Sequence, residues 1–166
     1  MSKKLVPIMM LFLLNTMMPV LADEFDFIKT EQIGELSLGL SEKSLKNKLH
    51  CAFKRDEDIE WAADGAYHQT WHCKEAGLSF DMVSNHKGGN KTIASITVTA
   101  PSTLKTKRGI QIGNSESAVT KAYQKERNAE DSQPKQLFVA GSVYGGLMFE
   151  FKNDKVESIF LGAGAE

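Results

Sequence analysis

Apolar residues recur along this chain in two rhythms. Leu36-Ser37-Leu38 and Ile110-Gln111-Ile112 alternate apolar with polar positions, which predicts two short half-buried strands, each released by a glycine, Gly39 or Gly113. After each glycine the period changes. Ser41 and Ser115 are N-cap residues, Glu42 and Glu116 sit in the first turn where the helix dipole favours an anion, and Leu45/Leu49 or Val119/Tyr123 make an i, i+4 apolar stripe. Two short helices are therefore predicted, with lysines and other polar residues on the solvated side. Period two then returns. Leu78, Phe80 and Met82 alternate with Ser79 and Asp81, and Leu147, Phe149 and Phe151 alternate with Met148 and Glu150. Turn-forming segments, Ser84 to Lys91 and Lys152 to Lys155, join these strands to the last strands of each set.

The two sets share more than rhythm. Gly39-Leu40-Ser41-Glu42 recurs as Gly113-Asn114-Ser115-Glu116, Gly77-Leu78-Ser79-Phe80 as Gly146-Leu147-Met148-Phe149, and Ile93-Ala94-Ser95-Ile96 as Val156-Glu157-Ser158-Ile159. The offset between matching blocks falls from 74 to 69 to 63 residues, so the first copy is longer in two connections. The reading is an α+β protein, a tandem duplication of a strand-helix-strand-strand-strand unit, with helices packed on one face of antiparallel sheet. Residues 33–101 form the first copy and 102–166 the second, in one compact body, after an N-terminal segment 23–32.

Residues 1–22 read as a cleaved export signal: Lys3 and Lys4, then the apolar run from Ile8 to Leu14, then Val20-Leu21-Ala22 ahead of Asp23. Pro7, Asn15 and Pro19 interrupt the run, which argues against a membrane-spanning anchor. The expected address is the periplasm or the medium. Twenty Lys and Arg against twenty-one Asp and Glu leave a net charge of −1, and no basic surplus points to nucleic acid. Both cysteines, Cys51 and Cys73, lie beyond the leader. In an oxidising compartment such a pair points to a structural disulfide before a metal site or a catalytic thiol.

The order of elements, the export signal and the cysteine pair at the end of a helix and in the following strand resemble the tandem-repeat fold of the secreted beta-lactamase inhibitor protein family. A single copy is also similar to the small outer-membrane assembly lipoprotein domain. The resemblance spans nearly the whole chain after the leader and rests on glycines, caps and core positions. One departure is that Lys125 and Ser142 stand where a second cysteine pair would align. What the resemblance implies is a protein-binding surface made from an exposed sheet face and projecting loops.

Chemistry narrows the choice further. In Tyr67-His68-Gln69-Thr70-Trp71-His72-Cys73 the alternation reads as a strand, where four residues span about 13 Å, so His68 and His72 cannot share one metal ion. The same alternation puts Trp71 and Cys73 on one face and His68, Thr70 and His72 on the other, which is expected to look outward as a surface. No serine-base-acid, nucleophile-elbow or phosphate-loop pattern is legible, and Asp56, Glu57, Asp58 and Glu60 read as a solvated loop. No enzyme activity, cofactor or metal is expected. The residues that the core does not require are the candidates for binding: Trp61 and Tyr67 in the longer connection, His68 and His72 on the outward face, His86 and Lys87 in a polar hairpin able to project, and Tyr144. The expected function is an exported inhibitor or immunity protein that occludes an envelope or extracellular hydrolase. The alternatives are an envelope assembly or stress factor binding peptides or outer-membrane components, and, behind it, a small periplasmic hydrolase.

Overall fold

A computed structural model describes residues 24–164; the predicted signal segment 1–22 lies outside the described residues. Among the described residues three α-helices are present, α1 (Glu24–Thr30), α2 (Glu42–Lys48) and α3 (Glu116–Tyr123). The strands are β1 (Lys54–Arg55), β2 (Ile59–Glu60), β3 (Tyr67–Cys73), β4 (Leu78–Ser84), β5 (Thr92–Thr99), β6 (Leu137–Ser142), β7 (Gly145–Lys152) and β8 (Lys155–Gly162). They form one antiparallel sheet in the order β1-β3-β4-β5-β8-β7-β6, with β2 also pairing β3. The fold is α+β. No helix among the described residues is long and apolar enough to cross a membrane.

Each of α2 and α3 precedes a three-stranded meander, and the two meanders meet through β5 and β8. Backbone detail matches between the halves. Ser41 Oγ accepts from Ser44 N–H and Ser115 Oγ from Ala118 N–H, so both helices start at the serine caps that the sequence marks. Gly39 N–H donates to the Ile93 carbonyl and Ile93 N–H to that of Leu40; Gly113, Val156 and Asn114 repeat the exchange. A register irregularity after Asp81, opposite Ala94, has its counterpart after Glu150, opposite Glu157.

The two strands predicted ahead of the helices do not form. Ile33 and Leu36 close a tight turn through reciprocal backbone hydrogen bonds of 2.9 and 3.0 Å, and the chain around Ile110 is likewise irregular. Their alternation reflects burial without extension: Leu36 and Ile110 are buried while Leu38 and Ile112 pack against the core. Backbone groups there bond within local turns, Leu36 with Ile33 and Ile110 with Thr106, and the bonds to the starts of β5 and β8 fall on the next residues, Gly39 and Leu40 or Gly113 and Asn114. Residues 24–30, left without an assignment from sequence, form α1, which packs against β6 and β7. Phe27 meets Tyr123 edge-on at 6.2 Å.

One core lies on one face of the sheet. Trp71, Phe80, Met82, Ile96, Phe138, Leu147, Phe149 and Ile159 join Leu45 of α2 and Val119 and Tyr123 of α3 in a single buried cluster. The period-two alternation that feeds this face leaves Thr70, Asp81, Ser95, Thr97, Met148 and Phe160 half-buried on the other. Cys51 and Cys73 form the expected disulfide, with Cα atoms 6.0 Å apart, and pin the segment after α2 to the core side of β3.

Candidate binding cleft

On the sheet face away from the helices a cleft of about 690 Å³ opens between the connection before β3 and the end of β8. Trp61, Ala63, Asp64 and His68 form one wall, Asp81, Ala94 and Ser95 the floor, and Phe160, Ala163 and Gly164 the other wall. Small residues make the room. Gly162, at φ 148°, passes so close to β5 that a Cβ would fall 2.6 Å from the Ser95 Cβ.

His68 organises the near wall. Its Nδ1 lies 2.7 Å from Asp81 Oδ2 and its Nε2 3.1 Å from Asp64 Oδ2, while the Trp61 indole stacks on the imidazole at 3.8 Å and 5°. Only 8% of the residue is exposed, so the expectation of a surface histidine is corrected: the side chain points to the open face, but Trp61 and the loop after it cover it. Burial opposes a charge on the ring. The hydrogen bonds and fields of Asp81 and Asp64 outweigh it, and the His68 pKa is raised above its ordinary value. Asp64 is in turn held below the usual carboxylate range, first by the Ala66 N–H and then by His68. With both nitrogens facing carboxylates, the imidazolium donates twice.

The acidic run stays exposed at Asp56, Glu57 and Glu60, as the sequence reading expects, yet three of its carboxylates find partners. Asp56 Oδ2 bonds His72 Nε2 at 2.9 Å, Asp58 bonds Lys91 Nζ and Gly88 N–H at 2.7 Å each, and Glu60 accepts from the Tyr67 hydroxyl at 2.9 Å. Together with Asp64 these carboxylates fasten the connection to β3 and to the β4–β5 hairpin. Asp58 is lowered in pKa although burial works against it, because Lys91 and Gly88 favour its charge. Lys91 is 3% exposed and also reaches Ser84 Oγ at 2.9 Å. The hairpin carrying His86 and Lys87 is therefore anchored at its base by Lys91 and at Gly88, although His86 and Lys87 themselves are exposed.

Only Trp61 and His68 of the sequence candidates meet in the cleft. Tyr67 faces Glu60, and Tyr144 is 64% exposed in the β6–β7 turn beside Val143, whose carbonyl accepts from the Gly164 N–H at the cleft rim. His72 stands apart: Ser79 Oγ lies 3.3 Å from its Nδ1, opposite the Asp56 contact. This serine, histidine and aspartate string was not legible in sequence, since it depends on the β3–β4 register that pairs His72 with Ser79 and on the path of the connection carrying Asp56. Ser79, the second residue of β4, is paired with His72 of β3 and Thr97 of β5, so ladder pairing engages the backbone around it.

Sequence reasoning also missed Asp64, Asp81 and Phe160. Asp81 sits diagonally from His68 across the β3–β4 ladder, where Thr70 is its direct partner, and only the register reveals that proximity. Comparison with protein-family models, curated proteins and solved structures gives no match.

Proposed function

We propose that this chain is an exported protein-binding module, an inhibitor or immunity protein that occludes an envelope or extracellular hydrolase, built on two copies of a helix-and-meander unit. The observation that carries the reading is the helix-free sheet face with a shaped, largely apolar cleft on it, which offers a protein partner a recess. The matching caps, backbone exchanges and strand irregularities of the halves support duplication. The leader-like residues 1–22 and the Cys51–Cys73 disulfide support export to an oxidising compartment.

The test is capture from periplasmic extract by the immobilised oxidised chain without residues 1–22. One protein retained saturably, and released by the free chain, is the expected result; no saturable partner overturns the reading. The Ser79–His72–Asp56 string favours a small hydrolase as the second reading. That reading requires ester or amide turnover that vanishes in His72→Ala, and it is discarded if the wild-type chain turns over no such substrate.

A further inference from the structure

We infer that the cleft receives a basic side chain, arginine above all, presented by the protein partner; this rests on the binding-module reading. The charge of the lining points that way. Among the described residues Asp64 and Asp81 border the cleft and no lysine or arginine does, while His68 is shared between the two carboxylates. A protonated His68 therefore leaves the cleft with one net negative charge.

Both carboxylates keep acceptor capacity. Asp81 contributes Oδ2 to His68; Asp64 contributes Oδ2 to His68 and Oδ1 to the Ala66 N–H, yet a carboxylate offers about four lone-pair sites. Both are reachable, since Asp64 is 51% and Asp81 21% exposed at the side chain. The ion pairs with His68 also hold the carboxylates in place before a ligand arrives, which lowers the ordering cost of binding.

The walls select among cations. The aromatic residues lining the cleft are Trp61, one face of which His68 covers, and Phe160, and they offer a ligand π surface. A guanidinium is planar, weakly hydrated and able to stack on such rings while its N–H groups reach a carboxylate edge-on; an ammonium pairs with the charge but stacks less well. The small floor residues Ala94 and Ser95 and the volume of about 690 Å³ leave space for the long methylene stem and flanking backbone. A loop carrying one exposed arginine fits this chemistry, whereas an acidic loop would meet Asp64 and Asp81.

The experiment is an NMR titration of the oxidised chain without residues 1–22, using the capped tripeptides Gly-Arg-Gly, Gly-Leu-Gly and Gly-Glu-Gly at equal ionic strength. The arginine peptide is expected to shift the Trp61 indole N–H saturably. The Trp71 indole, buried and bonded to Gln69, stays in place and reports that the fold is intact. Asp64→Asn, at a half-exposed position, should weaken the arginine peptide by about fivefold. No saturable shift with the arginine peptide, equal binding of the leucine or glutamate peptide, or an unchanged Asp64→Asn variant each overturns the inference. Saturable capture of a protein that is unaffected by Trp61→Ala and Asp64→Asn overturns it too, yet leaves the binding-module reading standing. Arginine-peptide binding without any saturable protein partner removes that reading and the protein source of the side chain, while the preference of the cleft for a guanidinium stands.

Discussion

Between α2 and β3 the first half of the molecule carries Leu49 to Ala66, with two short strands, a disulfide and four carboxylates that reach across to β3 or the next hairpin; between α3 and β6 the second half runs through Gln124 to Gln136 with a 3₁₀ turn and no cysteine. The hairpins differ likewise. β7 and β8 are joined by Asn153 and Asp154, both at positive φ as a tight two-residue turn demands, whereas β4 and β5 are joined by Asn85 to Lys91. The halves present matching core positions and differ where the connections of the first half are longer. The near wall of the cleft, with Trp61 and Asp64, lies in one of these longer connections, and the disulfide and ion pairs hold it against the sheet. The second half supplies a plain wall through Phe160 and Gly164.

Removing equivalent core residues is the strongest way to ask whether the halves are one cooperative body. Phe80 and Phe149 occupy matching strand positions and belong to one buried cluster, so Phe80→Ala and Phe149→Ala should each cost about 3–5 kcal/mol. Urea denaturation followed by fluorescence and by circular dichroism should show one coincident transition for each; a half that melts early in only one variant would break the single-core account. The disulfide belongs to the first half alone. Cys51→Ser with Cys73→Ser opens a loop between residues 22 apart and should cost about 3 kcal/mol, read as a lower denaturation midpoint than that of the oxidised chain.

Smaller effects separate the longer connections from the core. Asp58→Asn leaves Lys91, 3% exposed, without its carboxylate and should cost about 2 kcal/mol. Hydrogen exchange should rise first in residues 85–90 and around β2, not in β7 or β8. The smallest effect comes from His68. Its folded-state pKa lies above the ordinary 6.5, so its contribution to stability is complete below that value and is lost as pH rises through the raised folded pKa. Wild-type stability measured upward from pH 6.5 should therefore fall relative to a His68→Gln variant, and parallel curves would remove the two-carboxylate clamp.

Much of the secondary structure was legible because it depends on neighbours along the chain. Serine caps, i, i+4 stripes and period-two runs placed α2, α3, β3, β4 and β7, and the alternation of β3 separated Trp71 and Cys73 from His68 and His72. It misjudged Leu36 to Leu38 and Ile110 to Ile112, where alternation records burial of a turn and no strand neighbour is present. It also assigned nothing to α1, a short helix that docks on strands more than a hundred residues away.

The sequence by itself thus determined which residues face the core, where α2 and α3 begin, and which two cysteines could pair, since each follows from local periodicity, capping or simple pairing. The tertiary structure alone decided that β5 meets β8, that Trp61 covers His68, and that the acidic run reaches an imidazole, an ammonium or a hydroxyl at Asp56, Asp58 and Glu60. Those contacts depend on strand register and on the path of a long connection. Neither leaves a periodic signal, because a charged side chain that finds a partner across a sheet reads along the chain like one that finds only water.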